Sequence, residues 1–213
     1  MRINMSQKNR APEKWGMISV YTGDGKGKTT AALGSAIRAL AAGKRVAIVY
    51  FDKGGESHYS EREFIRSVIP AQAGPRLAGT GIHFFVTGLD RIDPESGRFR
   101  FGVTPEDIVE AKRGLKIVSD IFSSDCPFSD SHQVWITPDL LILDEINSTT
   151  ALGMLQESEV LALLEQKPAN LELIMTGRGA PASFIELADL VTEMKLVKHY
   201  FYKGVSAREG IDY

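Results

Sequence analysis

Cysteine is nearly absent. Cys126 stands alone among 213 residues, which excludes an intrachain disulfide framework and any multi-cysteine metal site. The four histidines, His58, His83, His132 and His199, are scattered without the spacing that gathers imidazoles around an ion. No apolar run approaches the roughly 18 residues that a membrane span requires. Neither sign of charge prevails: 25 Lys and Arg against 27 Asp and Glu leave a net charge of −2. That balance gives no electrostatic footprint for nucleic acid or a membrane surface. No Ser/His/Asp or Cys/His grouping suggests itself, nor any pair of acids arranged as hydrolytic machinery. The opening MRINMSQKNRAPEKW is polar and basic with no apolar stretch, so it does not read as a secretory leader. The expectation is a cytoplasmic protein with a flexible arm over residues 1–15 and one domain over 16–213. At 43% hydrophobic and 24% charged residues, the chain is ordinary globular material, long enough to bury a core.

What is present is a loop. Tyr21-Thr22-Gly23-Asp24-Gly25-Lys26-Gly27-Lys28-Thr29-Thr30 follows a short apolar run and opens a helical stretch. Glycines at 23, 25 and 27 let the backbone curl so that successive N–H groups face an anion. The helix behind them adds its unpaired N–H groups and the positive end of its dipole. Lys28 can reach phosphate oxygens, and the Thr29 hydroxyl can hold a magnesium ion. The pattern is G-x-x-x-x-G-K-[ST] with Thr22 where the first glycine would stand. A plain Gly/Lys turn is the competing explanation, but strand, loop and helix agree in order. The reading is a nucleoside triphosphate site formed by residues Gly23 to Thr30.

Short β-rich runs alternate with helical stretches along the rest of the chain. Strands are expected at Met17–Tyr21, Arg45–Phe51, Ile82–Val86, Leu140–Leu143, Leu171–Met175 and Leu190–Lys195. Helices are expected at Lys28–Ala42, Glu61–Ser67, Pro105–Phe122, Glu157–Gln166 and Ala182–Ala188. The continuous apolar runs at 46–49 and 140–143 suit strands covered on both faces, as in a parallel sheet flanked by helices. The fold class is therefore α/β: a single P-loop domain with a mostly parallel central sheet. Two long connections, 88–103 and 123–137, interrupt the rhythm.

A triphosphate loop needs a carboxylate to support its metal. Leu140-Leu141-Ile142-Leu143-Asp144-Glu145 supplies an apolar strand ending in two acids. Ligands of open α/β sheets lie outside the carboxyl ends of the strands, so Asp144 and Glu145 should face the loop. Which acid touches the ion stays open. The next strand ends in Thr176-Gly177-Arg178-Gly179, where Arg178 offers a forked phosphate donor. After the second strand, Lys53 could meet phosphate, a substrate carboxylate or only water. The glycine- and aromatic-rich C-terminus is expected to pack back near the sheet end.

These motifs carry a resemblance. The loop T-G-D-G-K-G-K-T-T-A-A, the run R-A-L-A-A-G-K-R-V and the Lys53-Gly54 pair resemble the ATP:corrinoid adenosyltransferases. So do L-I-L-D-E-I-N, T-G-R-G-A-P, E-L-A-D-L-V-T-E-M, L-V-K-H and the closing G-I-D-Y. The resemblance runs from about Gly16 to Tyr213, and Thr22 is what that family has at its position. It implies a RecA-like P-loop fold that transfers the 5′-deoxyadenosyl group from ATP to the cobalt of a reduced corrinoid and releases triphosphate. The corrinoid would be cobyrinic acid a,c-diamide, cobinamide or cobalamin. It implies ATP held in reverse, with C5′ presented for attack, and Mg2+ or Mn2+ held by Thr29 with Glu145 and Asp144. Gly23, Asp24, Gly25, Lys26, Gly27, Lys28, Thr29 and Thr30 would hold the triphosphate, with Arg178 near the nucleotide. No catalytic base is implied, because a cob(I) nucleophile carries no proton. A homodimer and an electron donor such as a flavodoxin are also implied.

One family segment departs. Where members carry T-G-F-x-W after the third strand, to remove cobalt's lower ligand, this chain has Thr87-Gly88-Leu89-Asp90-Arg91. Phe99 and Phe101, in the same connection, are the candidates to substitute. The competing functions are a P-loop phosphotransferase or ATPase, and a non-catalytic corrinoid carrier.

Overall fold

The computed structural model describes residues 16–55, 59–68, 81–93, 95, 98–123 and 137–212. The expected arm over 1–15, most of the 123–137 connection, Cys126, His58 and His132 lie outside the described residues.

Six strands, β1 (Ile18–Thr22), β2 (Val46–Tyr50), β3 (Ile82–Val86), β4 (Leu140–Asp144), β5 (Glu172–Thr176) and β6 (Leu190–Glu193), form one sheet in the order β3-β2-β4-β5-β1-β6. Every strand pair is parallel, so all six carboxyl ends lie along one rim. Helices α1 (Lys28–Ala41), α2 (Ser60–Val68), α3 (Pro105–Ser123), α4 (Ile146–Ala151), α5 (Glu157–Leu164) and α6 (Ala182–Leu187) connect or follow them. The expected strands and helices all form, with ends displaced by a few residues. α4 has no counterpart among the expected helices.

Strand parity explains the two-sided core. Successive side chains point to opposite faces, so Val46, Ile48 and Tyr50 join α1 and α2 on one side. Ala47 and Val49, with Leu141 and Leu143 of β4, join α3 and α5 on the other. An alternating polar residue would fail on either face, which is why β2, and β4 up to Leu143, read as unbroken apolar runs. Each Val, Ile or Leu among them contributes roughly 1.5–3 kcal/mol on burial, and Ala47 less.

The helix starts differ in a way that matters later. α3 is closed by its own side chains: Thr104 N donates to Asp107 Oδ2 at 2.8 Å, and Asp107 N donates to Thr104 Oγ1 at 3.3 Å. α1 has no side-chain cap and no acid in its first turn; Gly27, at φ 112°, simply turns the chain into it.

α3 comes close to the end of β2 at Gly114, where a Cβ would lie 2.5 Å from the Phe51 ring. An alanine there gains about 1 kcal/mol of helix propensity. Overpacking against a buried ring costs about 1–3 kcal/mol. Gly114→Ala should therefore be destabilised by up to about 2 kcal/mol in urea unfolding, and Phe51→Leu added to it should return part of that loss.

Candidate active site at the carboxyl rim

The phosphate loop begins where β1 ends. Thr22, in place of a glycine, is buried, and its Oγ1 accepts from Ala180 N at 3.2 Å. The departure thus fastens the loop to the turn after β5. Gly23 and Gly25 then pass beneath the segment that follows β6. A Cβ on them would come within 2.4 and 2.7 Å of Met194 O, and Gly25 N donates to that same carbonyl at 2.7 Å. These two glycines are needed for close backbone approach as well as for curling around an anion. Lys26 is tied to the C-terminal segment, its Nζ 2.6 Å from Asp212 Oδ1. Lys203 and Tyr200 belong to the short 3-10 turn of that segment, and Tyr200 Oη donates to the same Asp212 carboxylate. The C-terminal segment therefore meets the loop as expected, but through Asp212, while Phe201 and Tyr202 stay exposed.

Lys28 is 6% exposed, and its Nζ donates to Gly23 O and Gly25 O at 2.7 Å each. Burial lowers its pKa, while the Glu145 charge works the other way. The loop is wrapped around its own lysine, and α1 behind it offers N–H groups that no side chain has claimed. Asp24 and Thr30 stand exposed at the loop's outer edge.

Asp144 is the hub of the rim. Its carboxylate is 1% exposed. Oδ1 accepts from Thr176 Oγ1 at 2.6 Å; Oδ2 accepts from Lys53 Nζ at 2.5 Å and from Thr29 Oγ1 at 3.3 Å. Lys53 Nζ also donates to Thr29 Oγ1 at 3.1 Å. Burial alone would lower the Lys53 pKa; the Asp144 and Glu145 charges and the hydrogen bond to Asp144 outweigh it, and the net direction is upward. Glu145 follows in a left-handed conformation, φ 65°, and opens α4. Its N donates to Thr176 Oγ1 at 3.0 Å, and its Oε2 accepts from Ser148 Oγ at 2.5 Å. Glu145 Oε1 lies 4.0 Å from Lys53 Nζ.

The structure therefore gathers Thr29, Asp144 and Glu145 at one point, beside the Gly23–Thr30 loop. Arg178 is less engaged: its N donates to Ser148 Oγ at 2.8 Å, while the residue as a whole is exposed. Thr176 carries no role legible in the sequence, and for Lys53 the sequence allows three partners. The signal for Thr176 was its place at a strand's carboxyl end before a glycine. Among the described residues, no group of three or more His, Cys, Asp or Glu could hold a metal ion. Two acids and a hydroxyl fit instead the smaller protein share that Mg2+ takes when phosphate and water complete its shell.

A cavity of about 390 Å³ opens beside this cluster, with Lys53 and Glu145 in its wall and Tyr59, Leu89, Phe99 and Phe101 around it. The residues beyond Gly88 form a small hairpin, bridged antiparallel at Ile92 and Phe99. Ionic contacts anchor it. Arg91 Nε meets Asp52 at 2.8 and 2.9 Å, Arg91 Nη1 donates to Gly102 O at 2.8 Å, and Arg100 makes a forked pair with buried Asp107 at 2.7 and 2.9 Å. The Phe99 and Phe101 rings stand edge to face, 5.0 Å apart, and are 52% and 86% exposed.

Two measurements check this geometry. Thr176→Val removes a hydroxyl that serves both acids and leaves a buried carboxylate oxygen short of a partner. It should cost about 2–3 kcal/mol of stability in urea unfolding and weaken ATP binding in calorimetry, and Thr176→Ser should restore both. The second concerns Asp107, whose hydrogen bonds to Arg100 hold its pKa down at about 2 against an ordinary 3.8. A depressed carboxylate stabilises fully above its unfolded pKa and loses that contribution as pH falls toward its folded value. Allowing for solvent screening at Arg100, the loss between pH about 4 and 2 should be about 1–2 kcal/mol. Melting temperatures of Asp107→Asn should lack that increment of acid sensitivity.

Comparison with known proteins identifies the family. A family model described as ATP:corrinoid adenosyltransferase BtuR/CobO/CobP matches residues 14–213. The chain is 32% identical over 206 residues to a corrinoid adenosyltransferase of Pseudomonas aeruginosa, covering 96% of this chain and 87% of that one. It is 34% identical over 204 residues to a corrinoid adenosyltransferase of Escherichia coli K12, covering 96% and 89%. A corrinoid adenosyltransferase of Salmonella typhimurium is 33% identical over 204 residues, with the same coverage. A match over nearly the whole chain, on a parallel sheet whose rim carries the phosphate loop and its acids, places this protein in the ATP:corrinoid adenosyltransferase family.

Proposed function

We propose that ATP lies with its triphosphate in the Gly23–Thr30 loop and its C5′ turned toward the cavity beside Lys53, where a reduced corrinoid docks. The observation that carries this reading is the shared wall. Lys53 and Glu145 belong both to the polar cluster and to a cavity flanked by leucine and aromatic side chains. On this reading a phosphate site and a corrinoid site would abut along one rim.

As a member of its family, the chain is an enzyme that moves the 5′-deoxyadenosyl group of ATP onto corrinoid cobalt. Cobalt(I) supplies the electron pair of the new Co–C5′ bond. The C5′–O bond breaks, its electrons stay on oxygen, and inorganic triphosphate leaves. No proton is transferred at the reacting carbon, so the protein's work is placement and charge neutralisation. Lys28 and the first turn of α1 face the developing charge on the leaving group. Thr29 and Asp144, with Glu145 beside them, would hold Mg2+ or Mn2+, which offsets triphosphate charge. This reading sets aside a γ-phosphoryl transferase and a carrier without turnover.

Cobyrinic acid a,c-diamide in its cob(I) form is the substrate we favour, with cobinamide and cobalamin as related ligands. The reduced cobalt would come from an electron donor such as a flavodoxin. The working unit would be a homodimer in the cytoplasm; the exposed apolar residues of edge strand β6, Leu190 and Val191, would suit pairing. No helix among the described residues is long and apolar enough to cross a membrane. Phe99 and Phe101 would take over the displacement of cobalt's lower ligand.

Anaerobic incubation with ATP, Mg2+ and chemically reduced corrinoid should give a light-sensitive alkylcobalt spectrum and equimolar triphosphate; ADP as product would refute the assignment. Lys28→Ala should lower kcat/KM by about 100-fold or more. Phe99→Ala/Phe101→Ala should lose turnover from cob(II) far more than from cob(I), and equal turnover from both would remove the aromatic pair from the mechanism.

A further inference from the structure

Lys53 is held in place from several directions. Asp52 before it takes a left-handed turn, φ 50°. Lys53 N donates to Thr87 O at 3.0 Å, and Lys53 O accepts from Arg62 Nη2 at 2.7 Å. Arg62 is itself 2% exposed and lies over the Tyr59 ring at 3.8 Å. This framework delivers the Lys53 ammonium to Asp144 Oδ2 at 2.5 Å and Thr29 Oγ1 at 3.1 Å, with Glu145 Oε1 at 4.0 Å. Those are the three oxygen donors of the cation site proposed above. An ammonium and a divalent ion cannot share them, because like charges a few ångströms apart repel strongly where water is excluded.

We infer that Lys53 is the resident counter-cation of the nucleotide-free enzyme and makes divalent-ion binding conditional on ATP. A bare ion would have to break the buried Lys53–Asp144 pair and leave the ammonium without an anion, which is costly. An ion arriving with triphosphate brings phosphate oxygens that the displaced ammonium can meet. Lys53 also lines the neighbouring cavity, so its side chain has space to move into. Metal and nucleotide therefore bind with positive coupling, and each raises the affinity for the other by the same factor. The functional gain is that ordering of the site waits for ATP.

This inference rests on the cation role proposed for Thr29 and Asp144, and the test separates the two. Mn2+ binding to the full chain is read by electron paramagnetic resonance, with and without ATP and without corrinoid, after subtracting a protein-free control for the Mn2+ that ATP itself holds. Wild type should bind Mn2+ weakly alone and at least about tenfold more tightly with ATP. Lys53→Met should gain about tenfold in Mn2+ affinity without nucleotide and show reduced coupling to ATP. Asp144→Asn added to it should abolish the gain. Lys53→Gln serves the same purpose if the methionine variant fails to fold. No gain in either variant, a gain that survives Asp144→Asn, or wild-type affinity indifferent to ATP would each overturn the role of Lys53. If Asp144→Asn alone leaves Mn2+ binding in the presence of ATP unchanged, the proposed cation site itself fails.

Discussion

A carboxylate taken almost wholly out of water is the constraint around which this rim is arranged. Burying the Asp144 charge unpaired costs several kcal/mol, and its partners must come from separate parts of the chain. β4 lies between β2 and β5 in the sheet. Its last residue is therefore flanked by Lys53 from the turn after β2 and by Thr176 at the end of β5. Thr29 arrives from α1, which is carried by β1 on the far side of β5. The strand order is what completes the set, and a sheet with β4 at its edge would lose one flank of it. The same arrangement aims the phosphate loop at the acids.

Backbone strain gathers at the same rim. Among the described residues, Asp52 and Glu145 are the non-glycine residues with positive φ. They follow the neighbouring strands β2 and β4, and each left-handed position costs about 1 kcal/mol or more. What holds them there differs. Asp52 is gripped by the Arg91 guanidinium, whereas Glu145 is fixed by the Thr176 hydroxyl and by the start of α4. The turns keep the side chains of Lys53 and Glu145 aimed into the space between the phosphate loop and the cavity. Helix starts follow the same division of labour. α3 satisfies its own first turn through Thr104 and Asp107, while α1 leaves its first turn to an anion.

Periodicity and apolar runs make the sheet legible from sequence, because β2 and β4 are covered on both faces and stay apolar until the acid that ends β4. The phosphate loop and the acid pair were equally plain, since both are local patterns at strand ends. Thr176 and the engagement of Lys53 were not. Their roles depend on which strands lie side by side, and sequence order does not reveal that β4 sits between β2 and β5. α4 escaped notice for a different reason: Ile146–Ala151 is only six residues long, rich in Ser, Thr and Asn, and begins on a left-handed glutamate. Arg62 gave no signal at all, because a buried arginine bonded to two carbonyls looks in sequence like any polar helix residue.

The departure at Leu89 and Arg91 takes on a physical meaning once the hairpin is seen. Were Arg91 merely an intruder where the family has an aromatic ring, its charge should reach for solvent. Instead its side chain is largely buried, paired with Asp52 and bonded to the carbonyl of Gly102. Arg100 braces the other strand against Asp107 at the start of α3. The two arginines thus clamp a hairpin whose outward residues are Phe99 and Phe101, with Leu89 at its base beside the cavity. Phe99 and Phe101 line the same cavity as Leu89 and Arg91, a few residues later in the chain. The two rings, 5.0 Å apart and largely in solvent, have surface left to cover. A flat, mostly apolar ligand face pressed against them would remove that surface from water, and the clamp would keep them from collapsing into the cavity before the ligand arrives.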